Sequence, residues 1–102
     1  MDGIATLIAR TYKSDNIGQP VIDKEEKKDI FITEKSVNQR EFMEAGKLGL
    51  TPEFVLITPR VNYQGESSVI YNGVEYGIYR TYHVRTNDEI ELYLEKKAGV
   101  GE

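Results

Sequence analysis

Hydrophobic and polar positions alternate along most of this chain, and they break from that rhythm once. "IATLIARTY", from Ile4 to Tyr12, puts Ile4, Thr6 and Ile8 on one side and Leu7 on the other, the period-2 pattern of a strand. "KSDNIGQPVIDKEE", Lys13 to Glu26, gathers Asp, Asn, Gly and Pro and reads as a long polar loop. "KKDIFITEKSV" alternates again, with Ile30 and Ile32 on one face and Phe31 and Thr33 on the other. "TPEFVLITPRV" is apolar on both faces from Phe54 to Ile57 between Pro52 and Pro59, which suits a short strand buried on both sides. "NYQGES", Asn62 to Ser67, is a turn. Asn72-Gly73 divides "SSVIYNGVEYGIYRTYHVR" into a hairpin, because both residues tolerate positive φ. After the turn "TNDE", "IELYLEK" points Ile90, Leu92 and Leu94 inward and Glu91, Tyr93 and Glu95 outward.

The exception is "SVNQREFMEAGKLGL", Ser36 to Leu50, which follows helical spacing. Asn38 is suited to cap its first turn, and Glu41 can reach back in a capping box. Val37 and Phe42 occupy hydrophobic-staple positions. Phe42, Ala45, Leu48 and Gly49 form one narrow packing face, and Gly49 supplies a left-handed stop after which Leu50 can fold back on Ala45. Gly46 weakens the interior by about 1 kcal/mol relative to Ala. It marks either a close backbone approach or an early end.

These elements predict a mainly β fold. About six antiparallel strands curl into a small barrel, with one short helix and long loops. A length of 102 residues fits a single domain over 1–102. The expectation for the helix is that its Phe42, Ala45 and Leu48 face closes an open barrel end, with Gln39, Arg40, Glu44 and Lys47 left free.

Composition narrows the chemistry. Without cysteine there is neither a disulfide framework nor a thiolate nucleophile, which fits a reducing compartment. No apolar run approaches the ~18 residues of a membrane helix, and "MDGIATLIARTYK" lacks the basic start and apolar core of a signal peptide. The expected setting is the cytoplasm. Net charge is −4, and Lys24, Lys27 and Lys28 are diluted by Asp23, Glu25, Glu26 and Asp29, so no dense basic patch favours phosphate binding. His83 is the single histidine and sits between Tyr82 and Val84, a structural or surface setting. Asp88, Glu89, Glu91 and Glu95 read as an outward acidic face, and the composition suggests neither a metal nor a cofactor. Ser36, Ser67 and Ser68 have no histidine at a recognisable spacing, and no catalytic residue is expected. Of the seven tyrosines, about half suit the core and the rest suit a protein interface.

The blocks "SVNQREFMEAGKLGLTPEF", "NYQGESSVIYNGVEYGIYRTY" and "DEIELYLEKKAG" occur in an order that resembles the head-closure, or head-tail joining, proteins of tailed bacteriophages. The resemblance is to those of siphophages and prophages of Gram-positive bacteria in particular. The matching positions are Ser36-Val37, Glu41-Phe42, Ala45, Gly49-Leu50 and Pro52 around the helix. Tyr63, Gly65, Glu66, Tyr71, Gly73, Tyr76, Ile78, Arg80 and Tyr82 follow, then Glu91-Leu92. "LIARTYKSDNIGQPV" is similar to the family's opening strand and its Asp-x-x-Gly loop.

The resemblance implies a non-enzymatic virion protein of the head-tail interface, assembled in the host bacterial cytoplasm. Copies would form a ring at the portal vertex, close the channel after DNA packaging and dock the tail. The partners are then the portal or adaptor ring and tail-completion proteins, with a monomer in isolation and no sequence-specific DNA binding. An acidic wall that lets DNA pass is consistent with that role. The closure loop falls on Ser14, Asp15, Asn16, Ile17, Gly18, Gln19 and Pro20, and is expected to be mobile until assembly. The ring or partner surface falls on Gln39, Arg40, Glu44, Lys47, Asn62, Tyr63 and Gln64. Two alternatives are a tail-completion or tail-terminator barrel and, from a different class, a small metal-dependent enzyme.

Overall fold

A computed structural model describes residues 2–96. Six strands, β1 (Asp2–Ser14), β2 (Pro20–Lys35), β3 (Pro52–Pro59), β4 (Ser68–Tyr71), β5 (Val74–Val84) and β6 (Glu89–Lys96), close in the order β1-β2-β3-β6-β5-β4. Every neighbouring pair is antiparallel. One helix, α1 (Gln39–Gly46), connects β2 to β3, and a single 3-10 turn spans Arg60–Asn62. The mainly β barrel with one short helix is therefore the fold that the alternation predicts.

The interior is filled from all six strands: Ala5 and Leu7, Ile30 and Ile32, Leu56, Val69 and Tyr71, Tyr76, and Ile90, Leu92 and Leu94. Phe54 meets the rings of Tyr71 and Tyr76 edge-on at 5.5 Å each. The Asn72-Gly73 turn forms as its residues require, with φ of 54° and 78°. Val55 and Leu56 are both buried, so β3 is covered on both faces.

The barrel is unevenly stitched. β1 and β2 pair along their whole length, from Asp2↔Thr33 to Ser14↔Pro20. That hairpin joins the other four strands through short seams. Only Thr6, Leu7 and Ile8 pair with β4, and only Thr33, Glu34 and Lys35 pair with β3. The buried Thr58 hydroxyl reinforces the second seam by donating to the Phe31 carbonyl at 2.8 Å.

Two expectations about α1 are corrected. The cap is as predicted, with Asn38 Oδ1 accepting from the Glu41 N–H at 2.7 Å. Gly49 has φ of 79°, and the Leu50 N–H returns to the Ala45 carbonyl at 3.0 Å. The helix does not plug the barrel, however. It lies outside, against β5, and Ala45 is its buried residue. Phe42 is 52% exposed and Leu48 78% exposed, so the anticipated apolar face is mostly in water. No side chain or backbone crowds Gly46, whose position is an early helix end. Phe42→Ala should therefore cost less than about 1 kcal/mol. Asn38→Ala should cost about 1 kcal/mol through the lost cap. Urea denaturation of both variants checks the ranking, and a loss of several kcal/mol at Phe42 would overturn it.

Candidate functional site

The segment read as a long mobile loop is strand. β1 runs on to Ser14 and β2 begins at Pro20, leaving a turn of only Asp15 to Gln19. Beyond Ile8 on β1 and before Thr33 on β2, the two strands pair only with each other. They form a two-stranded arm that leaves the barrel. Its turn is built by Asp15, whose Oδ1 accepts from the N–H groups of Ile17 at 2.9 Å and Gln19 at 2.8 Å. The Asp15 N–H also reaches the Gln19 carbonyl at 2.9 Å, and Gly18 takes φ of 85°. Ser14, Asp15, Asn16, Ile17, Gly18, Gln19 and Pro20 are thus the hydrogen-bonded tip of the arm rather than a free loop.

Arg10 holds the base of the arm to the barrel. Its Nε donates to Glu25 on β2 at 2.6 Å, and its Nη1 and Nη2 donate to the two oxygens of Glu75 on β5 at 3.0 and 3.3 Å. The planar guanidinium can serve both carboxylates at once. The bonds to Glu75 and then Glu25 raise its already high pKa further. Nearby, Lys28 Nζ lies 3.6 Å from Glu66, whose Oε1 accepts the Gln64 N–H at 2.7 Å.

The second polar cluster ties α1 to β5. β5 bulges between Ile78 and Arg80, and Tyr79 falls between the register pairs Ile78↔Leu94 and Arg80↔Tyr93. A bulge re-aims side chains, and here Tyr79 and Arg80 both meet Glu41. The Tyr79 hydroxyl donates to Glu41 Oε2 at 2.6 Å, and Arg80 donates to both oxygens at 3.1 and 2.5 Å. Glu41 therefore grips β5 instead of closing a capping box. The Arg80 bonds come first among the causes that hold its carboxyl below the usual range. Arg80 also covers the Tyr93 ring at 3.9 Å. This cover explains a second difference from expectation. Tyr93 does alternate away from the core leucines, yet it is buried, and its hydroxyl donates to Glu91 at 2.7 Å. Burial, then the Glu91 bond, push that phenol up to about 12. Glu91 is likewise nearly buried, with Lys35 3.4 Å away, so it is no part of an outward acidic face.

The proposed partner surface divides into two groups that behave differently. Gln39, Arg40, Glu44 and Lys47 are exposed on α1, with Glu44 and Lys47 paired at 3.4 Å. Asn62 and Tyr63 maintain their own turn. The Asn62 amide donates to Thr58 Oγ1 at 3.0 Å, and the Tyr63 hydroxyl donates to the Glu66 carbonyl at 2.8 Å. Gln64 is exposed, with its N–H held by Glu66. No hydrogen bond or ion pair joins the two groups among the described residues. His83 is exposed, 3.7 Å from Asp88. Among the described residues, no three His, Cys, Asp or Glu side chains gather to hold a metal ion, and no helix is long and apolar enough to cross a membrane.

No protein-family model matches this chain, and no curated protein matches it. The surface available for recognition is thus defined by geometry: an arm with an apolar tip, and an exposed helix latched to the barrel wall.

Proposed function

We propose that this chain is a structural component of a tailed-bacteriophage head-tail connector, acting by shape and contact rather than by catalysis. In this reading, copies ring the portal channel after DNA packaging, close it and present the surface on which the tail docks. The observation that carries the reading is the arm. The segment that resembles the family's opening strand and Asp-x-x-Gly loop leaves the barrel as a paired ribbon, held at its base by Arg10. An isolated arm of this kind buries little of its own surface, so its length is best explained by a contact outside the chain. The acidic balance of the sequence also suits a wall past which DNA moves. The arm tip is then the closure element, and the exposed face of α1 is a second contact for the portal or adaptor ring or for tail-completion proteins.

The test is complementation. Residues 11–24 are replaced by Asn-Gly, joining Arg10 to Glu25, which face each other in register. The replaced residues lie outside the barrel core, so the melting temperature of the purified domain should change little. In a phage lacking the gene, the shortened form should yield packaged heads that leak DNA or fail to accept tails. Infectious particles at normal yield would refute a connector role for the arm.

A further inference from the structure

The β1–β2 hairpin carries two uncovered apolar patches, one at each end. At the arm tip, Tyr12 and Ile22 face each other in register, and Ile17 stands out at the turn, all three exposed. At the opposite end, Ile4 faces Phe31, which is 76% exposed. There they line a surface groove of about 390 Å³ with Ile57 and Pro59. Tyr12 lies eight residues along β1 from Ile4, which at ~3.3 Å per residue separates the patches by roughly 26 Å. The tip points away from its own groove and cannot fold back on it.

Charge distinguishes the two ends. Asp2 and Glu89 rim the groove. Asp2 accepts from the Thr33 hydroxyl at 2.9 Å and Glu89 from the Asn87 amide at 3.4 Å, so both carboxylates have neutral donors, and neither is paired with a cation among the described residues. Lys24, beside the tip, is exposed and has no ion pair among the described residues. Lys13 has only a 3.5 Å contact with Asp23, both exposed. Among the described residues the apolar tip thus carries one ammonium group without an ion pair, Lys24, and the apolar groove carries two such carboxylates, Asp2 and Glu89.

We infer that the arm tip of one copy docks in the Ile4–Phe31 groove of a second copy, head to tail, with Tyr12 and Ile22 against Phe31 and Lys24 near Asp2 and Glu89. Two different patches on one molecule make a heterologous contact, which closes into a ring when the rotation between copies allows. Closure into a ring on a portal rests on the connector reading; the pairwise contact does not. A single contact of this size is weak, and linked contacts around a ring reinforce one another.

The natural absence of cysteine gives a clean test. Ile22→Cys and Phe31→Cys are made in separate chains, one carrying a mass tag. Each is treated at high concentration with a short bis-maleimide, alone and mixed. Both sites are exposed, and unchanged melting curves confirm that the variants fold. The mixture should give severalfold more crosslinked dimer than either variant alone, all of it tagged-to-untagged. Adding Phe31→Asp to the Ile22→Cys chain should not reduce that yield, because its groove is not used. Adding Ile22→Asp to the Phe31→Cys chain should leave the yield unchanged for the same reason. Equal crosslinking in the single-variant samples, or no crosslinking in the mixture, would overturn the head-to-tail contact. If the mixture crosslinks and the arm-shortened gene still supports normal phage yield, the contact stands and the connector reading falls. If the mixture fails to crosslink and the shortened gene fails to complement, the arm serves another partner and only this inference falls.

Discussion

Leu92→Ala is expected to destabilise the protein by about 2–5 kcal/mol, enough to consume much of the stability of a small domain. Leu92 is fully buried in β6, opposite Leu56 on β3 and Thr81 on β5. Leu56 is itself fully buried, and both belong to the cluster that all six strands share. Truncation removes transfer free energy and leaves a cavity that short, mutually paired strands cannot collapse to fill. The melting temperature should fall by at least about 8 °C, since each kcal/mol is worth roughly 4–8 °C in a domain of this size. Leu48→Ala is the matched control. It removes the same atoms from an exposed position after α1 and should change stability by no more than about 0.5 kcal/mol. Equal effects from the two leucines would show that the core is misassigned.

The contrast between those leucines marks what alternation can and cannot reveal. Leu92 sits in "IELYLEK", where period-2 alternation, with Glu91 and Glu95 on the opposite parity, leaves one face for the core. Leu48 follows a helix and continues its apolar spacing, but spacing names a face without saying what lies opposite it. Here the bulge at Tyr79 turns two polar side chains toward the helix, and Glu41 meets them. A signal for that bulge was present in the sequence. Arg80 shares parity with Tyr76 and Ile78, so an unbroken strand would aim its charge at the interior. A buried guanidinium without a partner is costly, and an extra residue before Arg80 removes the conflict.

The arm was hidden for a different reason. Alternation reports a strand only where one face is dry and the other wet. Past Arg10 both faces of the ribbon are solvated, so Asp23 and Lys24 bring mixed charge and no apolar period. Asp15 and Gly18 do mark a turn, but the strands on either side look like more loop. The structure supplies the register: Arg10 opposite Glu25 is a cross-strand pair of opposite charge. Of the site residues, the helix group lies exposed as expected, whereas Asn62 and Tyr63 are spent on their own turn. The pairing of backbone groups gave the arm its shape.

Arg10→Met should lower stability by about 1.5–3 kcal/mol, the range for hydrogen bonds to charged groups. The guanidinium is largely shielded from water, with its side chain 18% exposed, and it connects three strands: its own, β2 through Glu25 and β5 through Glu75. It does so beside the short seam where β1 meets β4 through three residues. Methionine retains the aliphatic bulk but removes five donors, leaving Glu25 and Glu75 facing each other's charge in a partly desolvated setting. Arg10→Lys keeps the charge without the planar fork and should recover only part of the loss. Lys13→Met, further out on the same strand, removes a 3.5 Å ion pair between two exposed side chains and should cost no more than about 0.5 kcal/mol. Urea denaturation of the three variants gives the ranking, and amide exchange locates the effect. Exchange should accelerate from Ala9 through Glu25 in Arg10→Met while Leu56 and Leu92 remain protected. Equal losses for Arg10→Met and Lys13→Met would mean that backbone pairing alone fixes the arm and that the clamp contributes nothing.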